Sequence, residues 1–554
     1  MKKQVLNVQL ENKLKQQTAF QEVVPLTKLP HFSEMKNLVE AAKLFKKWIM
    51  EGKRGLLIAD YDADGIFAAA ILMDFLAKIG ITREIFDFHV PSRLIDGYGL
   101  SENVVQKAID EGYDFIVTVD NGVTAMEAVQ KAKDAGLGII ITDHHTVLKT
   151  LPNANIVVCP KQKGETFPFI DISGATVAWY FIAALKDEFE SNINLGQYID
   201  WVAVTIMSDV MPLTNINLSF LEYGLKIIKS RKREIYRLQW NPTWTHQNEI
   251  DEISLSFGLV SKFNAVGRID DANLAVEILL EKDKFKIKPM FDKINVINAK
   301  RQVISREQTY AAEEFAEMEI NLKEDPKVLV LKGPWDEGIV GIIAGRLAQR
   351  YKRPAYVLGF SEEKQYWKGS ARTSGNIHLY DVTTEASDFV VHFGGHRGAV
   401  GVAVTDANFD DFKEKLIEIT GKINPDEFIN HFLDPIECSL SDIDLETFDI
   451  VRQYAPYGQS NPLPTFLVDA KIIEASVVGK VPGLHWKAKL EDPQSGAQID
   501  CMLFNVHPRN LIKGNSPDEL SLTSEVISLE LSPTRAYDAH NEEFSKLVFA
   551  SFHN

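Results

Sequence analysis

Gly55-Leu-Leu-Ile-Ala-Asp60-Tyr-Asp62-Ala-Asp64-Gly65 joins a short apolar run to three carboxylates at alternate positions. Five apolar or small residues in a row have the length of a strand buried on both faces, and residues 66–79 after them read as a helix. The same unit recurs downstream. Residues 85–90, 115–120, 138–143 and 155–159 read as strands, and 102–111 and 124–135 as helices between them. Strands alternating with helices predict βαβ units and a mostly parallel sheet, so the fold class is α/β.

Two more of these strands end in chemistry: Asp120-Asn-Gly122, and Asp143-His144-His145. Each segment has an ordinary explanation by itself. Asp-Asn-Gly is a common turn, a His pair often lies on a surface, and Asp64 could cap a helix starting at Ile66. Capping needs one acid, however, and three acids so close repel each other unless cations sit between them. The match to a calcium loop of the EF-hand type is poor, because its twelfth position would be Ile71, not Glu, and the preceding segment reads as a strand. In an open parallel sheet, ligands bind at the carboxyl ends of strands. Three such ends here carry acid or imidazole. Asp209, in Met207-Ser-Asp-Val-Met-Pro-Leu213, closes an otherwise apolar helix and is a fourth candidate. This O/N donor set suits Mn²⁺ or Mg²⁺, and two such ions suit hydrolysis of a phosphodiester.

The other segments are read more coarsely. Residues 1–55 form a helical lead-in, amphipathic over 37–50. Helical stretches are expected near 175–189 and 198–228, and a long connecting helix over 284–320. A second α/β unit starts at Val328 and contains a Gly-rich segment at 394–401. From about residue 430, short alternating runs separated by Pro and Gly predict a small β-barrel or sandwich. With 554 residues, 45% hydrophobic and 25% charged, the chain is a multidomain globular protein rather than a disordered or disulfide-built one. Cys159, Cys438 and Cys501 are far apart and form no Cys-x-x-Cys pair, which suits a reducing compartment. After Met1-Lys2-Lys3, Asn7, Gln9 and Glu11 break any leader-like apolar run, and Asp74 interrupts the longest apolar stretch. A cytoplasmic protein with no membrane partner is expected. The net charge of −17 argues against coating nucleic acid by bulk charge. Residues 327–400 nevertheless carry ten Lys or Arg against seven Asp or Glu, a local basic island.

In order, these segments resemble the four motifs of the DHH phosphoesterases, and most closely those of the RecJ group of single-stranded-DNA-specific exonucleases. Further elements fit the same group. They are Pro91-Ser-Arg93 with Gly97-Tyr-Gly99, Asn264-Ala-Val-Gly267-Arg268, Trp335-Asp-Glu-Gly338-Ile-Val-Gly341, Lys368-Gly-Ser370-Ala-Arg372, Phe393-Gly-Gly-His396, and Ala455-Pro-Tyr-Gly458. The chain departs from the pattern at Ile58 and Ala59, at Asp336 where His is usual, and at Val400 where Ala is usual.

The resemblance implies a DHH catalytic domain over 56–275 behind the helical 1–55, a connecting helix over 276–325, a DHHA1 domain over 326–425 and an OB-like β-barrel over 430–554. It implies two Mn²⁺ or Mg²⁺ ions held by Asp60, Asp62, Asp64, Asp120, His144 and Asp209, with Asp120 bridging. Asp143 and His145 would act behind these ligands or on phosphate. Arg93, Arg268, Ser370, Arg372, Gly394, Gly395 and His396 would hold substrate. It also implies 5′→3′ release of mononucleotides in recombination and repair, a monomer, and a helicase and a single-strand-binding protein as partners. Two other readings are open: a phosphodiesterase for short oligonucleotides or cyclic dinucleotides, which usually lacks the β-domain, and a non-catalytic scaffold, which would have lost metal ligands.

Overall fold

The computed structural model describes all residues except 1, 19–22, 93–95, 98, 244, 323–324, 363, 430–433, 479–484, 505–525, 538–542 and 553–554. By compactness the chain forms two discontinuous units. One gathers Pro30–Asp209 and Ser256–Asn430. The other gathers Met1–Leu29, Val210–Leu255 and His431–Asn554.

In the first unit, β1 (Gly55–Ala59), β2 (Phe86–His89), β3 (Phe115–Val119), β4 (Gly138–Thr142) and β5 (Ile156–Val158) form a sheet in the order β2-β1-β3-β4-β5. Every pairing is parallel, as the near-continuous apolar runs require. The helix Ala63–Lys78 is buried all round from Ala63 to Leu76. It packs against the helices Gly174–Glu188, Ile199–Ser208 and Asn273–Leu280, so its apolar residues need no solvent face. It begins three residues earlier than the sequence suggested. Asp62, not Asp64, is its cap: one Asp62 oxygen accepts from the amides of Asp64 and Gly65.

The helix Lys284–Leu322 leads to a second sheet of the same unit, made of β6 (Leu329–Gly333), β7 (Ala355–Ser361), β8 (Tyr366–Arg372), β9 (His392–His396) and β10 (Ala399–Val404). Its order is β6-β7-β8-β10-β9. Only β6 and β7 run parallel; the Gly-rich segment, which had suggested no strand, forms the β9–β10 hairpin.

In the second unit, β11 (Ile436–Glu437), β12 (Phe466–Val478), β13 (His485–Glu491), β14 (Gln498–Phe504), β15 (Ile527–Tyr537) and β16 (Glu543–Phe552) form one mixed sheet. An extra β12–β15 pairing curls it closed, as in a small barrel. The amino-terminal helix Lys2–Thr18 belongs to this unit: Leu6, Leu10 and Leu14 lie one helical turn apart and are buried with Phe448, Phe466 and Trp486. A groove of about 660 Å³ beside that helix is lined by Glu437, Asp442, Asp469 and Asp492, so this face of the barrel repels phosphate. The segment 210–255, expected in the catalytic domain, also clusters here; the Leu213 amide donates to the Gln459 carbonyl and the Tyr457 amide to Glu252. Among the described residues no helix is long and apolar enough to cross a membrane, and all three cysteines are free.

Candidate active site

Strand register builds the site. Ala59 pairs with Val119, and Val119 with Thr142. The residues that follow, Asp60, Asp120 and Asp143, therefore stand level at the carboxyl ends of three adjacent strands. Asp120 turns the chain out of β3 with φ of +62°, a left-handed conformation uncommon outside glycine. Asn121 fixes this turn. Its side-chain amide donates to the carbonyls of Ile58 and Val119 and its oxygen accepts from the Leu100 amide.

The resulting cluster is tight. His144 Nε2 lies 3.1 Å from Asp120 Oδ1, 3.5 Å from Asp209 Oδ2 and 3.8 Å from Asp64 Oδ2. Three sets of donor atoms each lie within 4.8 Å of one another: Asp60–Asp62–Asp120, Asp64–His144–Asp209 and Asp120–His144–His145. Asp120 is in two of them. Asp60, Asp64, Asp120, Asp143 and His144 are buried. Among the described residues Asp120 Oδ1 and His144 Nε2 have no hydrogen-bond partner, an expensive arrangement unless a cation satisfies them. Oxygen and imidazole donors in overlapping sets fit two divalent cations of the Mn²⁺ or Mg²⁺ kind.

The electrostatics agree. Burial and the Asp62 charge push the Asp64 carboxyl up to about 7. Burial and the surrounding acids also raise Asp120, and burial with Asp64 and Asp62 raises Asp209. Burial and then His145 hold His144 well below the usual histidine range, leaving it a neutral ligand. Burial opposes ionisation of Asp143, but His145 and the Val123 amide outweigh it and hold this carboxyl low. His145 is its counterpart. Its Nδ1 lies 2.7 Å from Asp143 Oδ1; burial lowers it, yet Asp143 prevails and raises it to about 10, while 39% of the side chain stays open to solvent.

A pH prediction follows. Without metal, raised carboxyls keep protons that the unfolded chain has released. Their contribution to stability is complete below about pH 4 and lost as pH rises through about 7. Metal replaces those protons. The melting temperature gained on adding Mn²⁺ to EDTA-treated protein should thus be larger at about pH 8 than at about pH 5. An equal gain at both, read by scanning fluorimetry, contradicts this.

Gly174, Ala175 and Lys161 were not apparent from sequence, and for Asn264 the motif was apparent but not the contact. The amides of Gly174 and Ala175, at the start of the helix Gly174–Glu188, donate to the two Asp64 oxygens at 2.6 and 2.8 Å. A Cβ on Gly174 would lie 2.4 Å from Asp120 Oδ1. Asn264 Oδ1 accepts from the Ala63 amide at 2.7 Å, tying its motif to the first acidic loop. Lys161, two residues beyond the level of Asp143 on β5, brings a positive charge that acts on His144 and Asp209.

The second sheet aligns the other expected residues. Ser370, Gly401 and Gly394 pair in one row across β8, β10 and β9; Arg372, Ala399 and His396 pair two rows on, and so on the same face. Directly paired residues share a face, so Ser370, Arg372 and His396 present to one side. Arg372 donates to Ser370 Oγ at 2.5 Å. Gly395 adopts φ of +150°, and a Cβ there would lie 2.2 Å from the Ala399 carbonyl oxygen. His396, solvent-accessible but crowded by protein, is held low by burial and by Arg372, Lys161 and His145, which draws its row toward the acidic cluster. Arg268 reaches the same sheet's approach, donating to the Gly338 carbonyl at 2.9 Å. Arg93 and Tyr98 lie outside the described residues.

Comparison with known proteins matches residues 55–206 to the DHH family, N-terminal domain, 325–422 to the DHHA1 domain and 436–526 to the RecJ OB domain. The single-stranded-DNA-specific exonuclease RecJ of Bacillus subtilis is 32% identical over 477 residues, 85% of this chain and 59% of that protein. The RecJ of Dickeya dadantii is 29% identical over 488 residues, 85% and 84% of the two chains. The crystal structure of Thermus thermophilus RecJ with Mn²⁺ superposes with a TM-score of 0.73 at 24% identity, over 98% of this chain and 76% of that one. A chain in which DHH, DHHA1 and RecJ OB domains follow one another, and which aligns with RecJ proteins over most of its length, belongs to the RecJ family as a divergent member.

Proposed function

We propose that this protein is a metal-dependent exonuclease specific for single-stranded DNA, releasing 5′-mononucleotides in the 5′→3′ direction during recombination and repair. The observation that carries this is the convergence of Asp60, Asp64, Asp120, His144 and Asp209 on shared donor sets at the carboxyl ends of a parallel sheet. The names of the Bacillus and Dickeya relatives, both single-stranded-DNA-specific exonucleases, support it.

In this reading Asp60, Asp62, Asp64, Asp120, His144 and Asp209 hold two ions. When bound, these lower the pKa of a water and offset the charge developing on the phosphate. Gly174 and Ala175 keep Asp64 oriented. Asp143 keeps His145 protonated at Nδ1, so that His145 Nε2–H can donate to a phosphate oxygen. Arg93, Arg268, Ser370, Arg372, His396 and the backbone at Gly394 and Gly395 take the flanking phosphates, a task suited to the guanidinium fork. The barrel binds the strand by stacking and charge on a face other than the acidic groove. A nuclease confined to single strands needs the duplex opened for it, which makes a helicase and a single-strand-binding protein its partner classes. We place it in the cytoplasm.

The test is a time course with Mn²⁺ on one oligonucleotide labelled at the 5′ end and one at the 3′ end, beside blunt duplex. Early release of 5′-labelled mononucleotide with duplex intact is expected. Cleavage of very short oligonucleotides alone would replace this reading with a small-substrate phosphodiesterase.

A further inference from the structure

The connecting helix Lys284–Leu322 carries a polar seam where packing against a neighbouring helix calls for apolar residues. Asn298, Arg301, Ser305 and Thr309 follow one another at spacings of three and four, so they share one face. Asn298, Ser305 and Thr309 are 6%, 0% and 2% exposed. Ser305 Oγ has no hydrogen-bond partner among the described residues. Arg346, on the helix Val340–Tyr351 packed alongside, donates to Thr309 Oγ1 at 3.4 Å, and Arg301 donates to Asn298 Oδ1 at 2.6 Å. No carboxylate is at ion-pair distance from either arginine among the described residues. Tyr310 and then Glu313 act on Arg346 from further off, and Glu313 is already paired with Arg350 at 2.8 Å. Burial, and for Arg301 the like charge of Arg346, disfavour both cations as they stand.

Two half-buried guanidinium groups whose side-chain hydrogen bonds go to an amide oxygen and a hydroxyl, with no carboxylate in contact among the described residues, are a pair of donors suited to an anion. The helix that carries the seam also reaches the substrate side. Gln308 on the same helix accepts from the Asp336 amide, and the Gly338 carbonyl two residues on accepts from Arg268. On the far side of the Val340–Tyr351 helix, Gly341 lies against Ser370 and Arg372. We propose that Arg301 and Arg346 form a further phosphate subsite, which takes a backbone phosphate of the bound strand several nucleotides from the cut. This rests on the single-strand exonuclease reading and deepens it. The subsite anchors the part of the strand not yet degraded and so makes affinity depend on strand length.

The experiment compares wild type with Arg301→Gln, Arg346→Gln and the double variant, in Mn²⁺, on a trinucleotide and on a long single strand over a range of salt. For the double variant, KM for the long strand should rise about tenfold or more, and the slope of log KM against log salt should fall by about one per arginine removed. The ratio of long-strand to trinucleotide efficiency should collapse with it. Arg301→Lys and Arg346→Lys, which keep the charge, should restore most of the salt slope. Equal losses on both substrates together with a lowered melting temperature mean that the seam only packs two helices, and overturn the proposal. So does an unchanged salt slope. A wild-type protein that leaves both substrates intact overturns the exonuclease reading itself, and the proposal falls with it.

Discussion

Asp120→Asn should lower kcat on single-stranded DNA by about a thousandfold or more while leaving the metal-free protein at least as stable as wild type. The two halves of this expectation have one cause. Asp120 belongs to both the Asp60–Asp62 and the His144–His145 donor sets, so its charge is the one that both ions would share. Losing charge stabilisation worth several kcal/mol at two ions gives about a thousandfold in rate. Without metal the same charge is a liability: burial and the charges of Asp64, Asp62, Asp60 and Asp209 all oppose it. Removing it relieves repulsion on the order of 1 kcal/mol at about pH 8. Asparagine is the informative substitution because it keeps the shape and tolerates the φ of +62° as aspartate does. The measurements are single-turnover cleavage, calorimetric titration with Mn²⁺, and melting in EDTA. Full Mn²⁺ stoichiometry with undiminished cleavage would remove Asp120 from the ligand set. A large drop in melting temperature in EDTA would show that its role is structural.

The acidic strand ends were legible in the sequence because each motif follows a short apolar run. A parallel strand buried on both faces has that appearance, and the crevice at its carboxyl end follows from topology. What surrounds those motifs was less legible, for a physical reason. Gly174, Ala175 and Asn264 act through amides and one side-chain oxygen, and arrive from segments over a hundred residues away. Nothing local distinguishes Gly174 and Ala175 from an ordinary helix start, and the motif of Asn264 does not say which of its atoms would act. Lys161 gave no signal because a single lysine beyond a strand is usually surface. The capping of Ala63–Lys78 was placed two residues late because all three acids are plausible caps, and only the turn geometry selects Asp62. In the second sheet, glycine's poor strand propensity hid β9, whose Gly394 and Gly395 are needed for close backbone approach rather than for a loop. Residues 1–55 read as one helical lead-in, and nothing in that reading set Leu6, Leu10 and Leu14 apart as residues buried with the barrel core.

Gly267→Ala is expected to be the most damaging single-methyl change in the chain. Gly267 sits in the helix Ser261–Ile269, and a Cβ there would lie 1.9 Å from the Tyr61 carbonyl oxygen. That oxygen is backbone, in the middle of Asp60-Tyr61-Asp62, so no rotamer change can clear it. Either the helix or the acidic loop must move. The loop has little freedom to move: Asn264 holds the Ala63 amide from the same helix, and Gly65 packs with its would-be Cβ 2.4 Å from the Asp60 carbonyl oxygen. Overpacking at a backbone contact in a close-packed interior costs about 1–3 kcal/mol or more. A shift of the loop by about 1 Å displaces Asp60, Asp62 and Asp64 together, which can cost about a hundredfold in rate. The expected signature is therefore a lower melting temperature, weaker Mn²⁺ binding and a kcat loss of about a hundredfold, with long-strand KM changed far less. Gly267→Ser should behave alike, since any Cβ meets the same oxygen, whereas Gly52→Ala, at a glycine with nothing within 4 Å of its would-be Cβ, reports only the cost of a left-handed turn. If Gly267→Ala binds and cleaves as wild type does, the helix has room to retreat. The Asn264–Ala63 hydrogen bond is then not what holds the first acidic loop in place.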